Sequence, residues 1–176
     1  GTYMVSHDEV QLGTWADSLT GHNLQLYIPY FLREKRTKFD KALVETIINN
    51  ALTNATKYGS KTEVPKMILQ QPKSGKTIHI IIRNPPGENH EKIMESIYQG
   101  WDPDTLFDKS RRLDENRSEK IEKISSGHGL WVSRLAANEM GAEVKISFDA
   151  YHCEFTLIIP CRAHFNLGKI EMPELS

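Results

Sequence analysis

Residues 43–59 read LVETIINNALTNATKYG, from Leu43 to Gly59, and this stretch decides the fold. Placed on a helix at about 100° per residue, Val44, Ile47, Ile48, Ala51 and Ala55 share one apolar sector. Asn50, Asn54 and Lys57 fall within about 60° of one another on the border of that sector, with Thr46 beside them. A helix that only packs is better served there by Glu, Lys or Ala, because Asn and Thr are poor helix formers. Two readings stay open on this helix alone. One is a polar rim that happens to be rich in asparagine. The other is a rim facing a ligand that needs oxygen donors for a cation and a positive charge for an anion, and Mg²⁺ with a nucleotide phosphate is such a ligand. Gly59, just past Tyr58, is the expected stop.

Upstream, residues 1–20 are polar and weakly patterned, and Gly1-Thr2-Tyr3-Met4 reads as a cloning remnant on a piece of a longer protein. Ser6-His7-Asp8-Glu9 is superficially similar to a phosphoacceptor box, but no long helix follows, so His7 is read as solvated. Asn23 to Leu32 alternates well enough for a strand, with Leu24, Leu26 and Ile28 on one side. Arg33 to Lys38 reads as a solvated turn, and Thr37 as the cap of the long helix.

Downstream, residues 60–64 form a loop, Met67 to Gln71 a short strand, and Pro72 to Lys76 a hairpin turn. Thr77 to Arg83, TIHIIIR, is the most β-prone run of the chain and is expected at the centre of a sheet. It stops at Asn84-Pro85-Pro86-Gly87, a stiff turn of the kind that brings backbone to a pocket mouth. Residues 88–127 open with a short helix over His90 to Tyr98 and run into DKSRRLDENRSEKIEK. That run is too charged to pack, and is read as disordered or as a mobile lid whose Lys109, Arg111, Arg112, Arg117, Lys120 and Lys123 could reach a triphosphate. Ser125-Ser126-Gly127-His128-Gly129-Leu130 then leads into an amphipathic helix ending at Gly141, and such a start offers N–H groups and a positive dipole end to an anion. Glu143 to Phe148 and Glu154 to Ile159 form a closing hairpin, and residues 162–176 a polar tail.

The chain of 176 residues, 39% hydrophobic, fits one domain with a real core. Twenty-three acidic residues against 22 basic ones leave no global field for nucleic acid or an anionic membrane. No apolar run approaches a membrane span, and no signal-peptide pattern is present. Cys153 and Cys161 would lie on one face of one strand, too far apart to bridge, and are read as reduced thiols of a cytoplasmic domain.

The order of strand, Asn-bearing helix, strands, charged segment, Gly-rich turn, helix and hairpin resembles the ATP-binding catalytic domain of sensor histidine kinases, within the superfamily shared with gyrase, heat-shock chaperones and mismatch-repair ATPases. Asn50-Ala51-Leu52-Thr53-Asn54-Ala55-Thr56-Lys57-Tyr58 is similar to the kinase N box, and Gly127-His128-Gly129-Leu130 to the G2 box. The resemblance covers about residues 22–161, with 1–21 as a lead-in, a lid at about 88–127 and a tail at 162–176. It implies an α+β two-layer sandwich in which a mixed, mostly antiparallel sheet is covered on one face by helices. It further implies ATP and Mg²⁺ as cofactors. Asn54 would coordinate the metal with Asn50 in support, and Lys57 would contact phosphate. Tyr58 would line the adenine side, and Ser126, Gly127, His128, Gly129 and Leu130 would wrap the triphosphate. Asn50 and Lys57 are the expected catalytic residues.

Position 50 also chooses a branch. The superfamily's hydrolases carry a Glu four residues before the metal Asn, to activate water, and here that place holds Asn50. Glu45 lies about 140° away around the helix. Phosphotransfer to a histidine on a separate dimerisation segment is therefore expected rather than hydrolysis, with that segment and a response regulator as partners, and no nucleic acid or membrane contact. Two departures accompany the resemblance. Arg83-Asn84-Pro85-Pro86-Gly87 replaces the D-x-G-x-G of the G1 box, leaving Asn84 as a neutral acceptor for the adenine amino group beside Gly87, and Trp131 stands where the G2 box has a further glycine. The alternative is a degenerate module of the same fold that binds ATP weakly or not at all and docks to a partner.

Overall fold

The long helix forms as its periodicity dictates, and its ends are held from outside. In a computed structural model, which describes residues 3–19, 21, 23–108 and 129–161, this helix spans Lys41–Tyr58 (α3) and buries Val44, Ile47, Ile48, Ala51, Asn54, Ala55 and Tyr58. Its cap is Asp40, whose side chain accepts from Leu43 N at 3.0 Å. Thr37 does not cap it: it is buried in a strand, three residues too early to reach a free N–H of the first turn. The other oxygen of Asp40 accepts from Tyr3 Oη at 2.8 Å and Ser6 N at 3.0 Å, tying the start of the chain to the start of α3. At the far end Gly59 stops the helix in extended backbone, not the left-handed turn usual for glycine. Its need for glycine comes from crowding, since a Cβ there would sit 2.9 Å from Ala55 O, Pro85 O and Asn84 Nδ2.

The sheet has five strands: β2 (Gln25–Tyr27), β4 (Lys66–Gln70), β5 (Thr77–Asn84), β6 (Glu143–Phe148) and β7 (Cys153–Pro160), in the order β2-β4-β5-β7-β6. The pair β2–β4 is parallel and the rest antiparallel, so the sheet is mixed and β5 is central as expected. Alternation sets the layers. Ile78, Ile80, Ile82 and Asn84 of β5 and Cys153, Phe155, Leu157 and Ile159 of β7 turn their buried side chains to one face. There they meet α3, while α5 (Gly129–Glu139), which ends before Gly141 at φ +68°, packs against α3 and β6. The opposite face carries the paired Arg83 and Glu154, 3.1 Å apart. The fold is thus the expected α+β sandwich, a mixed sheet with helices over it.

Three short elements differ from the sequence reading. The strand foreseen over residues 23–32 stops after Tyr27, because Pro29 turns the chain into α2 (Tyr30–Arg33). The foreseen turn at 33–38 is instead β3 (Arg36–Phe39), pairing antiparallel with β1 (Asp8–Gln11). Thr37 and Phe39 are buried while Arg36 and Lys38 face solvent, a two-residue alternation masked by the charged side chains. Finally, β1 leads into α1 (Leu12–Ser18), and Val10, Leu12, Trp15, Ala16 and Leu19 join the main core, Trp15 edge-on to Phe39. The segment foreseen as a lead-in therefore packs. His7 is exposed. Beyond the G1-like turn lie α4 (His90–Tyr98) and a 3₁₀ turn over Pro103–Phe107 whose Leu106 and Phe107 are fully buried, so the first part of 88–127 belongs to the packed body. The charged run from Lys109 and the tail lie outside the described residues. Cys153 and Cys161 are both buried and unbridged. Among the described residues no helix is long and apolar enough to cross a membrane.

Candidate functional site

The Asn-bearing edge of α3 does not stand in open solvent. Between α3 and the sheet lies a small, partly open hollow of about 10 Å³, room for about one water molecule, lined by Asn54, Ala55 and Tyr58 on the helix side and by Ile82, Cys153 and Phe155 on the strands. Apolar side chains make most of its wall. Tyr58, 2% exposed, is held edge-on to Phe148 with centroids 6.0 Å apart. Asn54 is 8% exposed.

Asn84 is wholly buried at the end of β5, and its amide nitrogen donates to Ala55 O and to Ser60 O, each at 2.8 Å. Two carbonyls can only be met by the nitrogen, which fixes the orientation of the carboxamide. Its Oδ1 is buried and has no partner. Around this bond Ser60 N donates to Pro85 O at 2.8 Å, and Gly59 bridges Pro86. Gly87 lies directly on Gly59, where a Cβ would come to 2.1 Å from the Gly59 carbonyl oxygen. The Asn84-Pro85-Pro86-Gly87 turn is therefore latched to the end of α3.

Asn50 is half-buried one turn before Asn54, and its Nδ2 donates to Gly129 O at 3.3 Å and Ser133 Oγ at 3.4 Å. The start of α5 thus sits over the asparagine edge: a Cβ on Gly129 would be 3.8 Å from Asn50 Cγ and from Asn54 Nδ2. Leu130 turns inward and is buried. Lys57 is half-buried in the last turn of α3. The structure therefore gathers Asn50, Asn54, Tyr58, Asn84, Gly87, Gly129 and Leu130 around one end of the helix–sheet interface. Ser126, Gly127 and His128 lie outside the described residues.

Sequence reading missed Ser60, Ser133, Ile82, Phe155 and, as part of this wall, Cys153. Strand parity offered a signal for one of them: Ile82 is two residues before Asn84 and so shares its face. Burial pushes the Cys153 thiol up to about 12, so it faces the hollow as a neutral group. The donor set fits a ligand with two unlike ends. Asn54 and Asn50 can turn amide oxygens to a hard cation, and the wall beside Asn54 and Tyr58 is apolar.

A family model described as histidine kinase-, DNA gyrase B-, and HSP90-like ATPase matches residues 39–163. The histidine kinase AdeS of Acinetobacter baumannii superposes with a TM-score of 0.60 at 12% identity, over 90% of this chain and 69% of that one. A mycobacterial sensor histidine kinase, MprB, gives 0.58 at 13%, over 88% and 97%. Full-length ShkA in complex with AMPPNP gives 0.56 at 13%, over 91% of this chain and 32% of its own length. At these identities the likeness shows the fold. No curated protein sequence matches the chain.

Proposed function

The chain belongs to the histidine kinase-, DNA gyrase B- and HSP90-like ATPases, and from that premise we propose that it is the ATP-binding catalytic domain of a sensor histidine kinase. In this reading it binds ATP with Mg²⁺ between α3 and the sheet and passes the γ-phosphate to a histidine on a separate dimerisation segment. One observation carries the nucleotide assignment: Asn54, with Asn50 one turn before it on α3, borders an apolar hollow between α3 and the sheet. Asn84 Oδ1, buried without a partner two residues beyond Ile82 of that wall, is an acceptor that the adenine amino group would satisfy. Bound ATP·Mg²⁺ would supply the transferable phosphoryl group and neutralise its charge. This chain's residues would do the positioning: Tyr58 walls the ring, Asn54 and Asn50 hold the cation, and Lys57 meets phosphate as a point charge.

Transfer is favoured over hydrolysis because position 50 carries an amide. It has no proton-accepting carboxylate, and its nitrogen is engaged with Gly129 and Ser133. The partners in this reading are the phosphoacceptor segment and a response regulator, with action in the cytoplasm. A docking module with little affinity for ATP is the second reading, favoured by the closed Asn84-Pro85-Pro86-Gly87 turn, which departs from the glycine-rich form of the box.

Calorimetric titration of ATP with and without Mg²⁺ separates the two. Micromolar, Mg²⁺-dependent binding that Asn54→Ala abolishes, with the thermal transition kept, supports the kinase reading. No binding at millimolar ATP transfers the weight to the docking module. Unchanged affinity in Asn54→Ala overturns the role of that residue.

A further inference from the structure

We propose that the face of the sheet turned away from α3 is an interface on which a second copy of this chain docks, about a two-fold axis running along β5. On that face the side chains of all five strands are half-buried or exposed, apart from one. The exception is Ile81, 7% exposed yet outside the main core. The hollow lies on the other face, so docking here leaves it open in both copies, whatever it binds.

The strand register lays this face out in rows. One row runs Tyr27, Ile68, Ile81, Thr156 and Lys145 from β2 to β6, and the next runs Lys66, Arg83 and Glu154 across β4, β5 and β7. An apolar middle with charges around it is the make-up of a protein interface. Because β5 is the middle strand, a two-fold axis along it exchanges β4 with β7 and β2 with β6. Ile81 then meets Ile81 of the second copy. Lys66 comes opposite Glu154 of the second copy and Tyr27 opposite its Lys145, and symmetry makes each contact twice. Facing sheets stand about 10 Å apart, a gap that a lysine and a glutamate reaching toward each other can close. Arg83 meets its own copy on the axis, but each is held by its own Glu154 at 3.1 Å. An axis across the strands lacks this fit, since it would set Lys145 on Lys145 and Glu154 on Ile158. The charge pattern thus complements itself in one arrangement, and a second copy is the occupant it selects.

The size of the face sets the strength. Five strands about 4.8 Å apart and roughly 20 Å of strand length give each copy about 400–500 Å² to offer. Two such faces bury close to the roughly 1,000 Å² at which specific interfaces begin. The dimer is therefore a weak one, with a dissociation constant of about 10 µM to 1 mM.

The test is sedimentation velocity on the full 176-residue chain, with a thermal melt of every variant to show that it folds. The concentration runs from about 10 µM to about 1 mM. The parent should pass from monomer to dimer across that range, and Ile81→Lys should stay monomeric with a cooperative melt. Where Ile81→Lys does not fold, Ile68→Lys takes its place, because that side chain is half-buried in the same row. Lys66→Glu should weaken the dimer about five-fold or more. The double variant Lys66→Glu/Glu154→Lys should regain most of that loss. Opposite charges then face each other again, and Arg83 keeps an acidic neighbour in its row. A parent still monomeric at the top of the range overturns the interface, and so does a dimer that the isoleucine variant leaves intact. A double variant that associates no better than Lys66→Glu alone overturns the axis along β5. Species larger than a dimer that grow with concentration overturn the closed two-fold arrangement.

Discussion

At Gly87 a single methyl group would meet the Gly59 carbonyl at 2.1 Å, a distance that no side-chain rotation can relieve because the obstacle is backbone. Gly87→Ala must therefore push the turn off the end of α3, breaking the Ser60 N–Pro85 O and Asn84 Nδ2–Ser60 O bonds together. The expected cost is about 2 kcal/mol or more, read from urea unfolding at a constant slope. Gly21→Ala is the matched control: nothing lies within 4 Å of a Cβ there, and the change should stay within about 0.5 kcal/mol. These two glycines look alike in the sequence. The same limit applies to Asn84, which was legible as an acceptor near a turn but not as a donor. Its partners stand 29 and 24 residues earlier in the chain, and no local pattern announces them. Asn50 and Asn54 were legible because their signal is local: two poor helix formers one turn apart on an otherwise well-formed helix.

The helix α3 owes its start to one carboxylate. Burial pushes the Asp40 carboxyl up, but the donors Leu43 N–H, Ser6 N–H and Tyr3 O–H outweigh it, and the group rests below its ordinary value of 3.8. A folded-state value below the unfolded one means that acid favours the unfolded chain, so this contribution is whole above about pH 4 and is lost as pH falls through the folded value. Asp40→Asn keeps a cap oxygen but not the charge. It should lower stability by about 1 kcal/mol at neutral pH, and the gap from the parent should close as thermal melts are taken below about pH 4. A gap independent of pH would remove the charge from the explanation. The element itself was readable because eighteen residues give the 3.6-residue period several turns in which to show. The strand β5 was readable for its isoleucines. By contrast β1, β3 and α1 have 4, 4 and 7 residues, too few for a period to rise above chance, and the charged side chains around Thr37 give its strand the pattern of a turn before a helix. Their stability comes from tertiary burial, which a local reading does not see.

Over the whole molecule the segment before residue 21 behaves as part of the body. Val10, Leu12, Trp15, Ala16 and Leu19 lie in the same core as the face of α3. Burying each large side chain is worth roughly 1.5–3 kcal/mol, and a domain's total stability is only about 5–15 kcal/mol. A chain begun at Gly21 should therefore lose its cooperative thermal transition, whereas the full chain keeps one, and an unchanged melting temperature would show that β1 and α1 are dispensable. The order of the long elements and the helix-over-sheet layering were legible, since each follows from periodicity and from the N-box and G2-box resemblance. The latch between the turn and α3 was not, because it is made by backbone carbonyls that any sequence carries. The strand order has one more consequence. The sheet ends on one side in β2, three residues long and stopped by Pro29, and on the other in β6, whose outward Glu143 and Lys145 alternate with buried residues. Neither rim offers the long, flat, uncharged edge on which a second copy could add its own strand. A protein carrying so isoleucine-rich a central strand would otherwise be a seed for fibrils, and here that strand is kept two places from either rim.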